Sequence, residues 1–258
     1  MLDDWMDAAS IAYYETHAAA FFADTVALDL SPLYARFLER LPAGGHLLDA
    51  GCGSGRDARA FLQRGYAVTA FDASPTLARL ASAHCGLPVP VLRVQDMAWQ
   101  EQFDGIWACA SLLHVPLREL PEVLRRLAAA LKPGGILYAS FKYGQGEREQ
   151  RGRRFTDMDE AGLAALLQAA PYFTVLETWI TADQRLERVE ERWLNARVQK
   201  PSACALFSES RVDRLDHQPE GAGLTVGNQE PENPDTRWIE NGGIDETSTK
   251  GRLEIGHR

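Results

Sequence analysis

Apolar and polar positions along the chain change period several times, and each change marks an element. Residues 10–40 read as helical, with Ser31-Pro32 as a helix start inside the stretch: Ser is the N-cap and Pro takes the first helical position. Gly44-Gly45 breaks the pattern. His46-Leu47-Leu48-Asp49 predicts a short strand, and Asp57–Arg64 a helix that Gly65 can end. YAVTAF (66–71) alternates and is β-rich, which predicts a second strand. Ser74-Pro75 repeats the start signal for a helix over 75–84, and Pro88–Val94 is a strand candidate with two prolines near its start. FDGIWACA (103–110) is a continuous apolar run of the buried-strand type. Pro121 opens a helix with Val123, Leu124, Leu127 and Leu131 on one stripe, ended by Lys132-Pro133-Gly134-Gly135. ILYASF (136–141) predicts the next buried strand. Thr156-x-x-Asp159 resembles a capping box with Asp in place of Glu, before a helix that turns Leu163, Leu166 and Leu167 inward. FTVLETWI (173–180) and VEERWLNARV (189–198) predict two consecutive strands.

Strand–helix alternation of this kind implies a parallel sheet with helices on both faces, and the closing strand pair makes the sheet mixed. The fold class is therefore α/β. After Lys200 the character changes. Residues 201–258 hold 6 Lys/Arg against 11 Asp/Glu, a net of −5 out of −9 for the whole chain, so residues 1–200 carry −4. Apolar residues there are sparse, with short spots at Trp238-Ile239 and Leu253-Ile255. The expectation is a domain over 1–200 with an N-terminal helical cap, and an acidic, mostly disordered tail over 201–258.

An overall charge of −9 and a pI near 5.2 argue against a protein whose main task is to grip nucleic acid or an anionic membrane. No apolar run approaches the ~18 residues of a membrane span. The first residues, MLDDWMDAAS, carry acids where an export signal carries Lys or Arg, so a cytoplasmic location is expected. The cysteines (52, 85, 109 and 204) lack metal or disulfide-framework spacing and read as thiols in a reducing compartment.

The chemistry concentrates in LLDAGCGSGRDA (47–58). A strand, a glycine loop and a helix form a unit built for a nucleotide-like ligand: glycine lets ligand atoms approach the backbone, and the helix start offers free N–H groups. The dinucleotide pattern G-x-G-x-x-G fits Gly51 and Gly53 but would need glycine at Arg56. The spacing is instead D-x-G-x-G-x-G, from Asp49 to Gly55. That suits a ligand with an amino-acid end better than a pyrophosphate. Asp72, 17 residues after Gly55 at the end of the second strand, can accept hydrogen bonds from ribose hydroxyls. Asp96, with Met97 beside it, can frame an adenine.

Residues 46–142 resemble the class I S-adenosylmethionine-dependent methyltransferases. LLDAGCGSG, AFDAS, QDM, FDGIWACASLLHV and LKPGGILYASF carry the resemblance, which extends over roughly 10–198. The length and the GRD after the glycines are further similar to small tellurite-resistance-like methyltransferases. The resemblance implies a Rossmann-like sheet of seven strands, mostly parallel with an antiparallel last strand, and S-adenosyl-L-methionine as cofactor. Position by position it implies Asp49 and the Gly51-Cys52-Gly53-Ser54-Gly55 loop at the methionine part. It implies Asp72 and Ala73 at the ribose, Asp96 and Met97 at the adenine, and Ala110 and Ser111 at the methionine end. The expected partner is a small-molecule methyl acceptor.

His114, in ASLLHVP, is either a base at the acceptor or a structural loop histidine. Tyr13-Tyr14 read as helix packing or as a lid. Lys142, Tyr143 and Arg154 lie at the ligand edge or in a solvated loop, while Trp193 and Asn195 read as structural. Alternatives stay open: a protein or nucleic-acid methyltransferase, a non-catalytic S-adenosylmethionine-binding protein, or a nicotinamide oxidoreductase. The acidic charge and the absence of an N-P-P-Y or D-P-P-Y type motif count against nucleic acid. The missing third glycine counts against nicotinamide.

Overall fold

The computed structural model describes residues 4–185 and 188–202. The expected tail from residue 203 onward, with its apolar spots and Cys204, lies outside the described residues. Two helices open the chain, α1 (Asp4–Thr25) and α2 (Ser31–Leu38). The order then runs β1 (His46–Ala50), α3 (Arg56–Gln63), β2 (Ala67–Phe71), α4 (Pro75–Cys85), β3 (Phe103–Ala108), α5 (Leu120–Ala130) and β4 (Leu131–Lys142). A hairpin, β5 (Gly146–Gln150) and β6 (Arg153–Asp157), precedes α6 (Glu160–Ala169), β7 (Thr174–Ala182) and β8 (Arg192–Gln199).

The central sheet has the order β2-β1-β3-β4-β8-β7. β1 pairs in parallel with both β2 and β3, β3 in parallel with β4, and β8 runs antiparallel to β4 and β7. The chain reverses its direction of sheet growth at β1, so a crevice opens at the carboxyl ends of β1 and β3, where open α/β sheets take ligands.

The apolar runs are explained by burial on both faces. Leu48, Ile106, Leu137 and Ala139 face one core with α5 and α6; Leu47, Trp107, Ile136 and Tyr138 face another with Tyr34, Phe37 and Phe61 of α2 and α3. Neighbours in sequence thus enter opposite layers. In the second layer Trp107 stacks on Tyr138 with ring centroids 3.9 Å apart.

The sheet corrects the sequence reading in strand number: six strands, not seven. Pro88–Val94 contributes only an isolated bridge, Asp72 to Val91. Pro88 and Pro90 remove two ladder donors from what would be an edge strand. Thr156 is not a helix cap. It lies in β6 and its hydroxyl donates to the Val115 carbonyl at 2.7 Å, while Asp159 caps α6 through the Gly162 N–H. The polar stretch after β4 is a hairpin rather than a loop. Arg151 and Gly152 both have positive φ (56° and 74°) between the paired Gln150 and Arg153, the two-residue turn that matches strand twist. Among the described residues, no helix is long and apolar enough to cross a membrane.

Candidate active site

The loop after β1 folds back over the end of β2. The Gly51 and Cys52 N–H groups both donate to the Phe71 carbonyl (3.1 and 2.9 Å), and the Gly55 N–H closes the turn on the Cys52 carbonyl (2.9 Å). Two of the glycines answer different demands. Gly51 has φ +78°, and a Cβ there would lie 2.7 Å from the Ser111 Cβ across the crevice. Gly55, at φ +74°, would meet the Ala81 backbone of α4 at 3.0 Å, so its small size serves helix packing.

Asp72 joins the second strand to this loop. One carboxylate oxygen accepts from the Gly53 N–H at 2.8 Å, the other from the Ser74 N–H at 2.9 Å. Burial raises the Asp72 pKa above the ordinary carboxylate range. Each oxygen keeps further acceptor capacity toward the crevice. Glu15 ties α1 to the same corner: it accepts from the Ser74 hydroxyl and from the Thr76 N–H (2.8 Å) and hydroxyl (2.7 Å) at the start of α4.

A cavity of about 260 Å³ occupies the crevice. Of the sequence candidates, Gly51, Cys52, Gly53, Asp72, Ala73, Ala110, Ser111 and His114 line it. Ala110 holds φ +53°, pinned by its N–H to the Ser140 hydroxyl at 2.8 Å, and the neighbouring Ser111 hydroxyl is buried with no hydrogen-bond partner. A non-glycine residue in the left-handed region costs about 1 kcal/mol, and such strain gathers at functional sites.

Asp49, Gly55, Asp96 and Met97 are placed elsewhere. Asp49 is buried behind the loop, where it accepts the Ala58 N–H at 3.0 Å and so satisfies a free donor in the first turn of α3. Met97 is in the core, and Asp96 pairs with Arg93 at 2.8 Å on the surface. A short 3-10 turn over Val94–Asp96 shifts the frame, so that Val94 and Gln95 form the wall.

Asp57, which carries no assigned role in the sequence reading, is the electrostatic hub beneath the loop. Its carboxylate accepts from Tyr34 Oη (2.5 Å), Trp107 Nε1 (2.8 Å), and Arg56 Nε and Nη2 (2.6 and 2.9 Å). Burial pushes its pKa up, but the Arg56 charge and these hydrogen bonds outweigh burial and hold it low. Burial and the neighbouring Asp57 charge raise Asp49 well above its ordinary value.

At the far end, His114 Nδ1 faces the Arg154 carbonyl at 2.7 Å. A carbonyl only accepts, so Nδ1 carries the proton, and Nε2 accepts from the Tyr14 hydroxyl at 2.9 Å. Burial pushes the His114 pKa down to about 4, so the ring is neutral at physiological pH. Its basic nitrogen is reached through Tyr14. Of the two readings left open for Lys142, the structure has it lining the cavity, paired with Glu191. Tyr143 instead reaches outward to Glu160 (3.0 Å). Arg154 pairs with Glu147 (2.5 Å) behind β6, while its neighbour Arg153 lines the cavity.

This geometry has counterparts. A family profile described as a methyltransferase domain matches residues 22–226. The chain belongs to this methyltransferase-domain family. The match begins inside α1 and runs past β8. A ubiquinone biosynthesis O-methyltransferase of Xanthomonas axonopodis pv. citri is 39% identical over 106 residues, covering 38% of this chain and 44% of the relative. The aligned stretch thus spans under half the length of the curated relatives. Among solved structures, the Burkholderia thailandensis 1,6-didemethyltoxoflavin-N1-methyltransferase, with 1,6-didemethyltoxoflavin and S-adenosylhomocysteine bound, is 25% identical with a TM-score of 0.63. That alignment covers 76% of this methyltransferase-family chain and 88% of the other. A Methanosarcina mazei methyltransferase (21% identical, TM-score 0.59, covering 68% and 100%) shares the fold.

Proposed function

We propose that the chain transfers a methyl group from S-adenosylmethionine to a small-molecule acceptor. One observation carries this reading: a single cavity gathers the glycine loop, Asp72 and Ser111 at the carboxyl ends of β1, β2 and β3. The fit is supported by two features. Gly51 leaves open a crevice that a Cβ would close, and the orphaned Ser111 hydroxyl needs a polar ligand. Asp72 would hold the ribose hydroxyls, and Gly51–Gly53 with Ala110 and Ser111 would hold the methionine part.

The bound cofactor supplies an activated methyl group on sulfur, whose departure needs no proton donor. The chain must therefore align the acceptor with the carbon–sulfur bond and exclude water, which can supply up to about 7–11 kcal/mol of the barrier. α1 covers the cavity with Tyr14 and Phe21, and Gly53 lies under the Phe21 ring (3.0 Å from its would-be Cβ). Where the acceptor begins protonated, the Tyr14–His114 pair offers a path for that proton.

The test is thermal unfolding with S-adenosylhomocysteine and, in parallel, with NADH. A ligand at 100 times its dissociation constant adds about 2.7 kcal/mol. A shift with S-adenosylhomocysteine alone is expected, and an at least tenfold loss of affinity in Asp72→Asn should cut it to about half or less. A shift with NADH alone would overturn the reading.

A further inference from the structure

We propose that Arg153 recognises an anionic group on the methyl acceptor, and that the acceptor is a small aromatic carboxylate. This rests on the reading of the cavity as a methyltransferase site. Six cationic side chains line the cavity; Arg188 among them is only half-buried, and four are ion-paired, Arg93 with Asp96 at 2.8 Å and three others. Arg56 faces Asp57 (2.6 Å), Lys142 faces Glu191 and Arg185 faces Asp183 (2.6 Å). Arg153 is only 8% exposed, yet no carboxylate pairs with it among the described residues, and its Nε is buried without a hydrogen-bond partner.

An unpaired buried charge is costly, and a fold keeps one where a ligand completes it. The surroundings of Arg153 fit that role. Its guanidinium lies 4.3 Å from the Tyr13 ring centroid, 5.0 Å from Phe155 and 5.9 Å from Tyr14. Aromatic faces hold a cation in place while leaving in-plane donors available; here the Tyr14 side chain takes one of them in a hydrogen bond. A planar fork of N–H groups then matches the two oxygens of a carboxylate. Arg153 stands on β6 beside Phe155, and His114 contacts both Phe155 (5.2 Å between rings) and the Arg154 carbonyl. That is the hairpin side of the cavity. Phe155, Tyr14 and Trp193 supply aromatic walls there. A carboxylate on a flat ring fits both the fork and the walls.

S-Adenosylmethionine carries a carboxylate of its own, so two sources of the anion must be separated. Calorimetric titration of the full chain with S-adenosylhomocysteine, for wild type and Arg153→Gln, addresses the first. Titration of the S-adenosylhomocysteine complex with benzoate, 4-hydroxybenzoate and 2-naphthoate, each against its amide, addresses the second. The expected result is cofactor affinity within threefold in the variant, with at least one carboxylate binding ten times more tightly than its amide in wild type. That preference disappears in Arg153→Gln. Circular dichroism checks folding, and Arg153→Lys replaces a variant that fails to fold, keeping charge but losing the fork. A tenfold loss of S-adenosylhomocysteine affinity in a folded variant assigns Arg153 to the cofactor and overturns the proposal. So does the absence of any carboxylate preference in wild type. Failure of wild type to bind S-adenosylhomocysteine at all sinks the methyltransferase reading instead.

Discussion

Asp57→Asn isolates the charge of the hub beneath the glycine loop, because the side chain keeps its volume. The carboxylate accepts four hydrogen bonds, from Tyr34, Trp107 and twice from Arg56. An amide can accept at one side only and points N–H groups at donors on the other. Arg56, with its side chain 16% exposed, loses its charge partner. Breaking a buried pair by removing one member costs about 3–5 kcal/mol. For a domain of this size that is a fall in Tm of about 6–20 °C, at roughly 2–4 °C per kcal/mol. Urea unfolding at pH 7, followed by circular dichroism and by tryptophan fluorescence, measures the loss directly. The pH dependence follows from the depressed Asp57 pKa. Its contribution is present above the ordinary carboxylate range, near 4, and is lost as pH falls through the lower folded value. Wild type should therefore lose its advantage over Asp57→Asn on acidification. A loss under about 1 kcal/mol at pH 7, or a difference from wild type that is flat with pH, would refute an ionised hub.

Asp49→Asn tests the opposite sign. The folded Asp49 pKa is raised, so its ionisation favours the unfolded chain as pH rises; stability at pH 8 relative to pH 5 should improve in the variant, and a worsening counts against the assignment. His114, with a pKa down from 6.5 to about 4, binds protons more readily when unfolded; up to about 3 kcal/mol of stability should vanish between pH 6.5 and 4. His114→Gln should remove most of that slope, as urea unfolding across the range will show. Gly51→Ala should weaken S-adenosylhomocysteine at least tenfold by calorimetry, because the new Cβ meets Ser111. Gly65→Ala, at φ +84° with nothing within 4 Å, should cost about 1 kcal/mol and leave that affinity unchanged. Equal effects from the two would remove the contact argument.

What was legible in the chain was whatever local chemistry determines. β1 to β4 announced themselves because both of their faces are buried, and the glycine loop and Asp72 because close backbone approach demands particular residues at fixed spacing. Even there, local reading does not fix the wall: across a three-residue turn it is Val94 and Gln95, not the expected Asp96 and Met97, that line the cavity. Asp49 shows a second kind of ambiguity, since a carboxylate at a strand end serves a ligand or the next helix equally well in sequence, and here it accepts the Ala58 N–H of α3. Glu15 at the start of α4 was out of reach, 61 positions from the Thr76 hydroxyl it binds.

The hairpin is the instructive failure. GEREQ and RRFTD are polar, and Arg-Gly is a weak turn signal beside Asn-Gly, so nothing local separates the segment from a solvated loop. Once the hairpin forms, the alternation of a strand decides everything: Arg154 turns to Glu147, and Arg153 turns to Tyr13, Phe155 and the cavity. The glycine-loop side of the crevice is assembled from consecutive β–α units and is written locally. The opposite side joins α1, the loop after β3, the end of β4 and β6, which are remote in sequence and meet only in the fold. A sequence can therefore display the first side while the second stays hidden, and in the proposal made above it is the Arg153 guanidinium, which no carboxylate pairs among the described residues, that discriminates among acceptors.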